Sequence, residues 1–299
     1  MSYHKPVMIA ECLEGLKVNP EGIYIDVTFG GGGHSLEILE QLTGGRLIAF
    51  DQDEDAKRQA EKIQSRSFTF CQANFKYMKQ YLKSMEVTKV DGVLADLGIS
   101  SHQIDSPERG FSTRFDGPLD MRMDKRSTLT AAKIVQEYPE ERLQKILGMY
   151  GEVKNAKTVA RAIVNQRVMR MESNADLIGL LKPLAPRGKE FKYYAQVFQA
   201  LRIEVNQEMD ALESFLKQCG EVIQKGGRLV VMSYHSMEDR MVKNYIITGK
   251  VFGELEKDFF GNPIKPFQAV NRKPIAPSEE EVKTNNRARS AKLRIAERI

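Results

Sequence analysis

Cysteine and histidine are scarce in this 299-residue chain, and long apolar runs are missing. The three cysteines, Cys12, Cys71 and Cys219, are far apart and form no C-x-x-C pair. That excludes a disulfide framework or a thioredoxin-like redox motif, and it predicts reduced, buried thiols in a cytoplasmic protein. The four histidines fall at no metal-ligand spacing, so no metal site is expected. No stretch approaches the roughly 18 uninterrupted apolar residues that a membrane span needs. The N-terminus, Met1 to Met8, lacks the apolar region of a signal peptide. A G-x-x-x-x-G-K-[ST] run is also absent, which excludes a P-loop for nucleoside triphosphates.

The charge that is present is unevenly spread. Net charge is only +5, but residues 104–200 hold 17 Lys+Arg against 12 Asp+Glu, and residues 265–299 hold 9 against 4. The rest of the chain is therefore acidic on balance. Cations gathered in two segments suit a polyanion-binding surface; solvated helix faces would give the same counts, and both readings stay open.

Four glycines and a histidine, Gly30 to His34, stand between an apolar strand (22–29) and a helical pattern (35–42). Glycine there permits positive φ and close approach of a ligand to the backbone. A second strand, Arg46 to Asp51, ends in an acid 18 residues beyond Gly33, placed to accept the hydroxyls of a ribose. The third position of a G-x-G-x-x-G fingerprint falls on Ser35, which disfavours a dinucleotide. S-adenosylmethionine (SAM) fits this loop best, with a nicotinamide or flavin dinucleotide and a merely structural turn as alternatives. For Asp51 the alternative is a cap on the following helix.

Strand and helix patterns continue to alternate: a helix over 53–65, a strand over 68–71, a helix over 76–85, and a fourth strand, Val90 to Asp96. Such alternation implies a parallel sheet with right-handed crossovers. A Gly/Ser/Asp/Arg-rich stretch follows at 98–128, long enough to suggest function. Helical patterns then cover 130–137, 140–150, 156–169, 174–182 and 195–224. Lys225-Gly-Gly227 is read as their end, before a fifth strand over 228–234. The expected architecture is α/β: a Rossmann-like sheet with an all-helical domain inserted between its fourth and fifth strands. Residues 1–104 and 201–299 form the sheet domain, and 105–200 form the insertion.

Ligands of open α/β sheets lie beyond the carboxyl ends of the strands. Gly30–His34, Asp51, Asn74-Phe75, Asp96–Gln103 and Ser233–Ser236 should therefore converge. Phe75 would pack on an adenine or sit in the core; Asp96 would lie nearest a transferable group or form a buried ion pair.

Eight ordered motifs make a more specific case: Thr28–Ser35, Asp96–Ser101, Glu108–Ser112, Asp116–Asp124, Phe198–Ile203, Gly226–Leu229, Ser236–Arg240 and Arg287–Arg294. Together they resemble the bacterial RsmH (MraW) family of SAM-dependent class I methyltransferases, which modify N4 of a cytidine in small-subunit (16S) ribosomal RNA. The resemblance runs from Tyr3-His4-Lys-Pro-Val7 to the C-terminal arginines. It implies SAM contacts at Gly32, Gly33, His34, Asp51, Phe75, Asp96 and Gln103, and RNA as partner, with a ribosomal particle as the expected substrate. A homodimer is left open. One departure is Lys192-Tyr-Tyr-Ala-Gln-Val-Phe198, where the family has His-Pro-Ala-x-x-x-Phe; it leaves the local helix start unassigned.

The N4 lone pair of cytosine is delocalised into the ring, so an acceptor for its protons and in-line positioning would both help. Asp96 is the candidate acceptor, although anchoring of the methionyl amine competes with that role. A stacking ring would come from Tyr234, His235, Phe111 or Phe115, and His235 is the second catalytic candidate. Methylation at C5 would need a cysteine nucleophile, and no Pro-Cys motif or cysteine after the fourth strand supplies one. A dehydrogenase and a catalytically silent RNA binder are the other function classes. In the C-terminal run, Arg287 and Arg289 share one side of an expected last strand over 286–294 and are candidates for RNA phosphates.

Overall fold

The computed structural model describes residues 6–299; Tyr3 and His4, part of the N-terminal motif, lie outside the described residues. Four strands alternate with helices through the first hundred residues. Helix α1 (Ile9–Leu16) precedes β1 (Ile23–Asp26), α2 (Gly33–Gln41) and β2 (Arg46–Asp51); α3 (Glu54–Ala60), β3 (Phe68–Gln72), α4 (Met78–Ser84) and β4 (Val90–Asp96) follow. Strand β2 is apolar without alternation because both faces of the sheet are covered: Leu47, Ile48, Ala49 and Phe50 are all fully buried. Helix α3 is shorter than its pattern, stopping at Ala60 before a turn through Ile63.

A helical unit follows: α5 (Ser101–Asp105), α6 (Ala131–Glu137), α7 (Glu140–Gly151), α8 (Ala156–Gln166), α9 (Asn174–Leu181) and α10 (Glu190–Asn206). The chain then gives α11 (Glu208–Val222), β5 (Ile223–Ser233), α12 (Ser236–Thr248), β6 (Phe267–Ala269), α13 (Glu279–Thr284) and β7 (Lys292–Arg298). The sheet order is β3-β2-β1-β4-β5-β7-β6, with β7 antiparallel to both neighbours and β1 to β5 parallel. The inserted helices between β4 and β5 agree with the expected layout. Packing divides the chain into two compact units, one running to Gly98 and resuming at Met209–Ile299, the other Ile99–Glu208.

Each unit has its own core. In the sheet unit Leu16, Tyr24, Ile38, Leu94, Val230 and Leu293 pack together. In the helical unit Met121, Ile134, Leu147, Ile163, Leu177 and Leu201 do so. The long stretch before α6 is ordered by polar groups inside that unit. The buried Arg109 donates to the carbonyls of Arg122 and Met123, and Asn206 accepts from Met123 N and donates to Met121 O. The Tyr193-Tyr194 departure lies within regular α10. Both rings are buried in the helical core, and the Tyr193 hydroxyl donates to Asn155 Oδ1 at 2.9 Å.

Two sequence expectations fail locally. Lys225-Gly-Gly227 does not precede the fifth strand but lies in it: β5 starts at Ile223, Gly226 takes φ +82°, and the register against β4 shifts between Val90 and Gly92. The expected strand over 286–294 is a 3-10 turn at Asn286–Ser290, with β7 beginning at Lys292. The Asn285 side chain accepts the Arg287 N–H, and Ala288 N–H closes back on Asn285 O. This local side-chain bond competes successfully with the extended form.

Candidate functional site

Because β1 to β5 are parallel, their carboxyl ends share one edge, and the strand order reverses direction between β1 and β4. That switch is where open α/β sheets bind ligands. Three aspartates end the three strands concerned: Asp26 on β1, Asp51 on β2 and Asp96 on β4.

The glycine turn after β1 is shaped by backbone sterics. Gly30 and Gly32 take φ +53° and +85°, and Gly32 N–H closes the turn onto Phe29 O at 2.7 Å. A Cβ on Gly32 would fall 2.7 Å from the Phe29 ring, and one on Gly33 would fall 2.1 Å from Pro6 Cγ. The glycines are therefore required first by the protein's own packing. A valine at Gly32 would strike Phe29 before any ligand.

Asp51 accepts the Gly30 N–H at 2.8 Å and the Asp53 N–H at 2.9 Å, one on each oxygen. It ties the glycine turn to the tip of β2. The cap of α3 is Asp53, which accepts from Asp55 N, so Asp51 is not that helix's cap. Burial pushes the Asp51 carboxyl up to about 6, against the two amide donors that pull it down.

Asp96 sits in a network that the sequence did not reveal. Its carboxylate accepts the Tyr234 hydroxyl at 2.8 Å, and its own N–H donates to Thr28 Oγ1 at 2.6 Å. Thr28 N–H in turn donates to Asp26 Oδ1 at 3.1 Å, while Ser35 Oγ donates to Asp26 Oδ2 at 2.6 Å. Asp26 is buried, and burial raises its carboxyl above the usual range. Asp96 is likewise pushed up to about 6, chiefly by burial, with the charge of His34 and the Tyr234 hydroxyl opposing. Gly98, at φ +103°, brings the chain past Tyr234 with the ring 3.5 Å from where a Cβ would stand. Asp26 and Thr28 thus support the site with no sequence signal beyond their place near the end of β1, and Tyr234, expected as a candidate stacking ring, commits its hydroxyl to Asp96.

The other predicted positions fall as follows. The buried His34 spends Nε2 on the Val7 carbonyl at 3.0 Å. Phe75 lies on a 3-10 turn capped by Asn74, its ring edge-on to the buried Phe215 at 5.4 Å. Gln103 belongs to the helical unit, where it forms a capping box with Ser100 at the start of α5. His235 caps α12. Its Nδ1 accepts from Glu238 N at 3.4 Å, and its Nε2 lies 3.1 Å from Glu238 Oε1 without hydrogen-bond geometry. Glu238 is itself buried and accepts the Tyr234 N–H at 2.9 Å, which fixes the turn carrying Tyr234. Arg289 is exposed and Arg287 half-buried on the turn before β7.

A seven-stranded sheet of this order, with acids at the β2 and β4 tips flanking a glycine turn, defines a Rossmann-like methyltransferase. The chain belongs to the MraW methylase family, whose pattern matches residues 1–299. It is 59% identical to the ribosomal RNA small subunit methyltransferase H of Cytophaga hutchinsonii, over 99% of each chain. The enzyme of that name from Bacteroides thetaiotaomicron is 53% identical, covering 100% of this chain and 98% of its own length. Among solved structures, an rRNA methylase from Streptococcus thermophilus aligns over 100% of this chain and 99% of its own, at 13% identity and a TM-score of 0.41.

Proposed function

We propose that this protein transfers a methyl group from SAM to the exocyclic N4 amine of a cytidine in small-subunit (16S) ribosomal RNA, with the ribosomal particle as its working substrate. Methylation of small-subunit rRNA rests on the family and on the names of relatives sharing more than half their residues with this chain. The choice of N4 rests on one observation: the site offers an acid at the tip of β4 and no thiolate. All three cysteines are buried, and burial raises each thiol, Cys71 to about 11. A C5 methylase needs a cysteine that attacks C6.

The residues present fit SAM. The ionised Asp51 suits a ribose diol, the positive-φ turn at Gly30 and Gly32 admits close approach, and Asp96 suits an amine. Gly32, Gly33, His34, Phe75 and Gln103 complete the proposed contact set. When bound, SAM supplies an electrophilic methyl carbon on a sulfonium.

The chain contributes position and proton handling. Asp96, oriented by Tyr234 and Thr28, accepts a hydrogen bond from N4, which localises the lone pair on nitrogen. The new N–C bond would form as the methyl's bond to sulfur breaks, its electron pair staying on sulfur as a neutral thioether; N4 sheds one proton, and the Asp96 carboxyl poised near 6 is matched to receive it. His235, committed to capping α12, is read as a positioning residue.

Tritiated SAM, offered with naked 16S rRNA, isolated small subunits and whole ribosomes, tests this reading. After digestion to nucleosides, the label is expected in N4-methylcytidine. Label in 5-methylcytidine, or none in any RNA, overturns it.

A further inference from the structure

Two phenylalanines stand almost wholly in solvent, on a segment that plays no part in the site described above. Phe259 is 97% exposed and Phe260 84%, next to each other at the tip of a turn between α12 and β6. A soluble protein rarely leaves two adjacent rings so bare without a partner for them.

The turn is built to hold them there. Asp258 Oδ1 accepts the N–H groups of Phe260 and Asn262 at 2.9 and 2.8 Å, and its Oδ2 accepts the Asn262 side-chain amide at 3.0 Å. Asp258 N–H donates to Asn262 O, and Gly261, at φ +84°, returns its N–H to Asp258 O. An antiparallel bridge between Lys257 and Pro263 closes the base. The two rings meet edge to face at 87°, with centroids 5.6 Å apart, so their faces point in different directions. Holding the backbone in advance lowers the cost of ordering on contact.

Location and charge indicate the partner. Strand β5 ends at Ser233, one residue past the Met232 that pairs with Asp96 at the tip of β4, and α12 returns along the sheet before the turn begins. Strand β6 then starts at Phe267, opposite Arg298 at the far end of β7, whereas Lys292 at the near end of β7 pairs with Ser233. The length of β7 puts Phe267, four residues after the base of the turn, roughly 20 Å from the catalytic edge. Residues 243–273 hold six Lys+Arg against three acids, one of which, Asp258, is spent inside the turn. Cations interleaved with bare rings are what single-stranded nucleic acid requires: phosphate neutralisation together with faces for unstacked bases.

We propose that Phe259 and Phe260 stack on unpaired bases of the ribosomal RNA, forming a second contact at the end of the sheet opposite the methyl-transfer site. The proposal rests on the reading of rRNA as substrate, and it explains how an assembled particle would be held at two points.

The chain contains no tryptophan, so Phe259→Trp creates a single emitter at the tip. On titration with small ribosomal subunits its emission should be quenched, as stacking on a base requires. The double variant Phe259→Ala/Phe260→Ala should bind small subunits about tenfold more weakly or worse, with SAM affinity and thermal midpoint unchanged. Trp at both positions should restore binding, and Leu at both should not. A blue shift without quenching, rescue by leucine, or unchanged affinity in the alanine variant overturns the proposal, the first two in favour of a protein pocket. Methyl transfer by the unmodified protein is measured separately, so failure of the enzymatic reading is distinguishable from failure of this contact.

Discussion

At Asp51 one carboxylate, the proposed ribose acceptor, also holds the fold: it receives amide protons from Gly30 and Asp53. Asp51→Ala should weaken SAM binding by roughly 1.5–3 kcal/mol, the loss of charge-assisted hydrogen bonds, read by calorimetry. Asp51→Asn keeps an acceptor for Gly30 and should lose less; equal losses would mean that charge plays no part. The raised carboxyls also set a pH dependence. Asp51 and Asp96 ionise near 6 in the folded protein and about two units lower when unfolded. Between these values the folded state holds the extra protons. Their contribution to stability is therefore full at low pH and is lost as the pH rises through about 6. SAM runs the other way, because it needs the ionised acceptors. The rise in melting temperature on adding SAM should thus be larger at pH 8 than at pH 5, and a constant rise would exclude Asp51 and Asp96 as its acceptors. Asp96→Asn retains an acceptor for Tyr234 while removing the base. Turnover should fall about a hundredfold, further than SAM affinity does; a loss of affinity with turnover kept would confine Asp96 to the methionyl amine.

At the scale of elements, what was legible followed from periodicity and what was not followed from single polar side chains. The apolar runs of β2 and β4 and the helical spacing of α7 and α10 were plain because burial alone dictates them. The Asp96–Tyr234 bond was not: it joins residues 138 apart, and only the pairing of β4 with β5 brings them together. Likewise His235 read as chemistry because its capping bond to Glu238 has no signature beyond spacing. The C-terminal run read as a strand because alternation there was real, yet the Asn285 side chain diverts it into a turn. That turn changes how Arg287 and Arg289 are presented, from one face of a strand to a short helical turn with Arg289 outermost. Replacing both with alanine should weaken RNA binding and flatten its salt dependence, since each phosphate contact adds to the slope. SAM affinity should be unchanged. A wild-type salt slope would remove both arginines from the interface and leave the cations of the helical unit and of residues 243–273 as the remaining candidates.

In the whole molecule the packing is divided. The sheet unit and the helical unit each bury a core of their own, the first around Tyr24, Leu94 and Val230, the second around Ile134, Val159 and Leu201. Of the proposed SAM contacts, all but Gln103, on the short α5, belong to the sheet unit. A ligand held at a hundred times its dissociation constant stabilises what it binds by about 2.7 kcal/mol, but only segments that open together share that gain. Hydrogen exchange with and without SAM should therefore show new protection at the glycine turn and the tips of β2 and β4. The amides of α6 to α10 should exchange at unchanged rates. Equal protection across α6 to α10 would mean that the two units open as one, and the division of the chain at Gly98 and Glu208 would describe its packing but not its energetics.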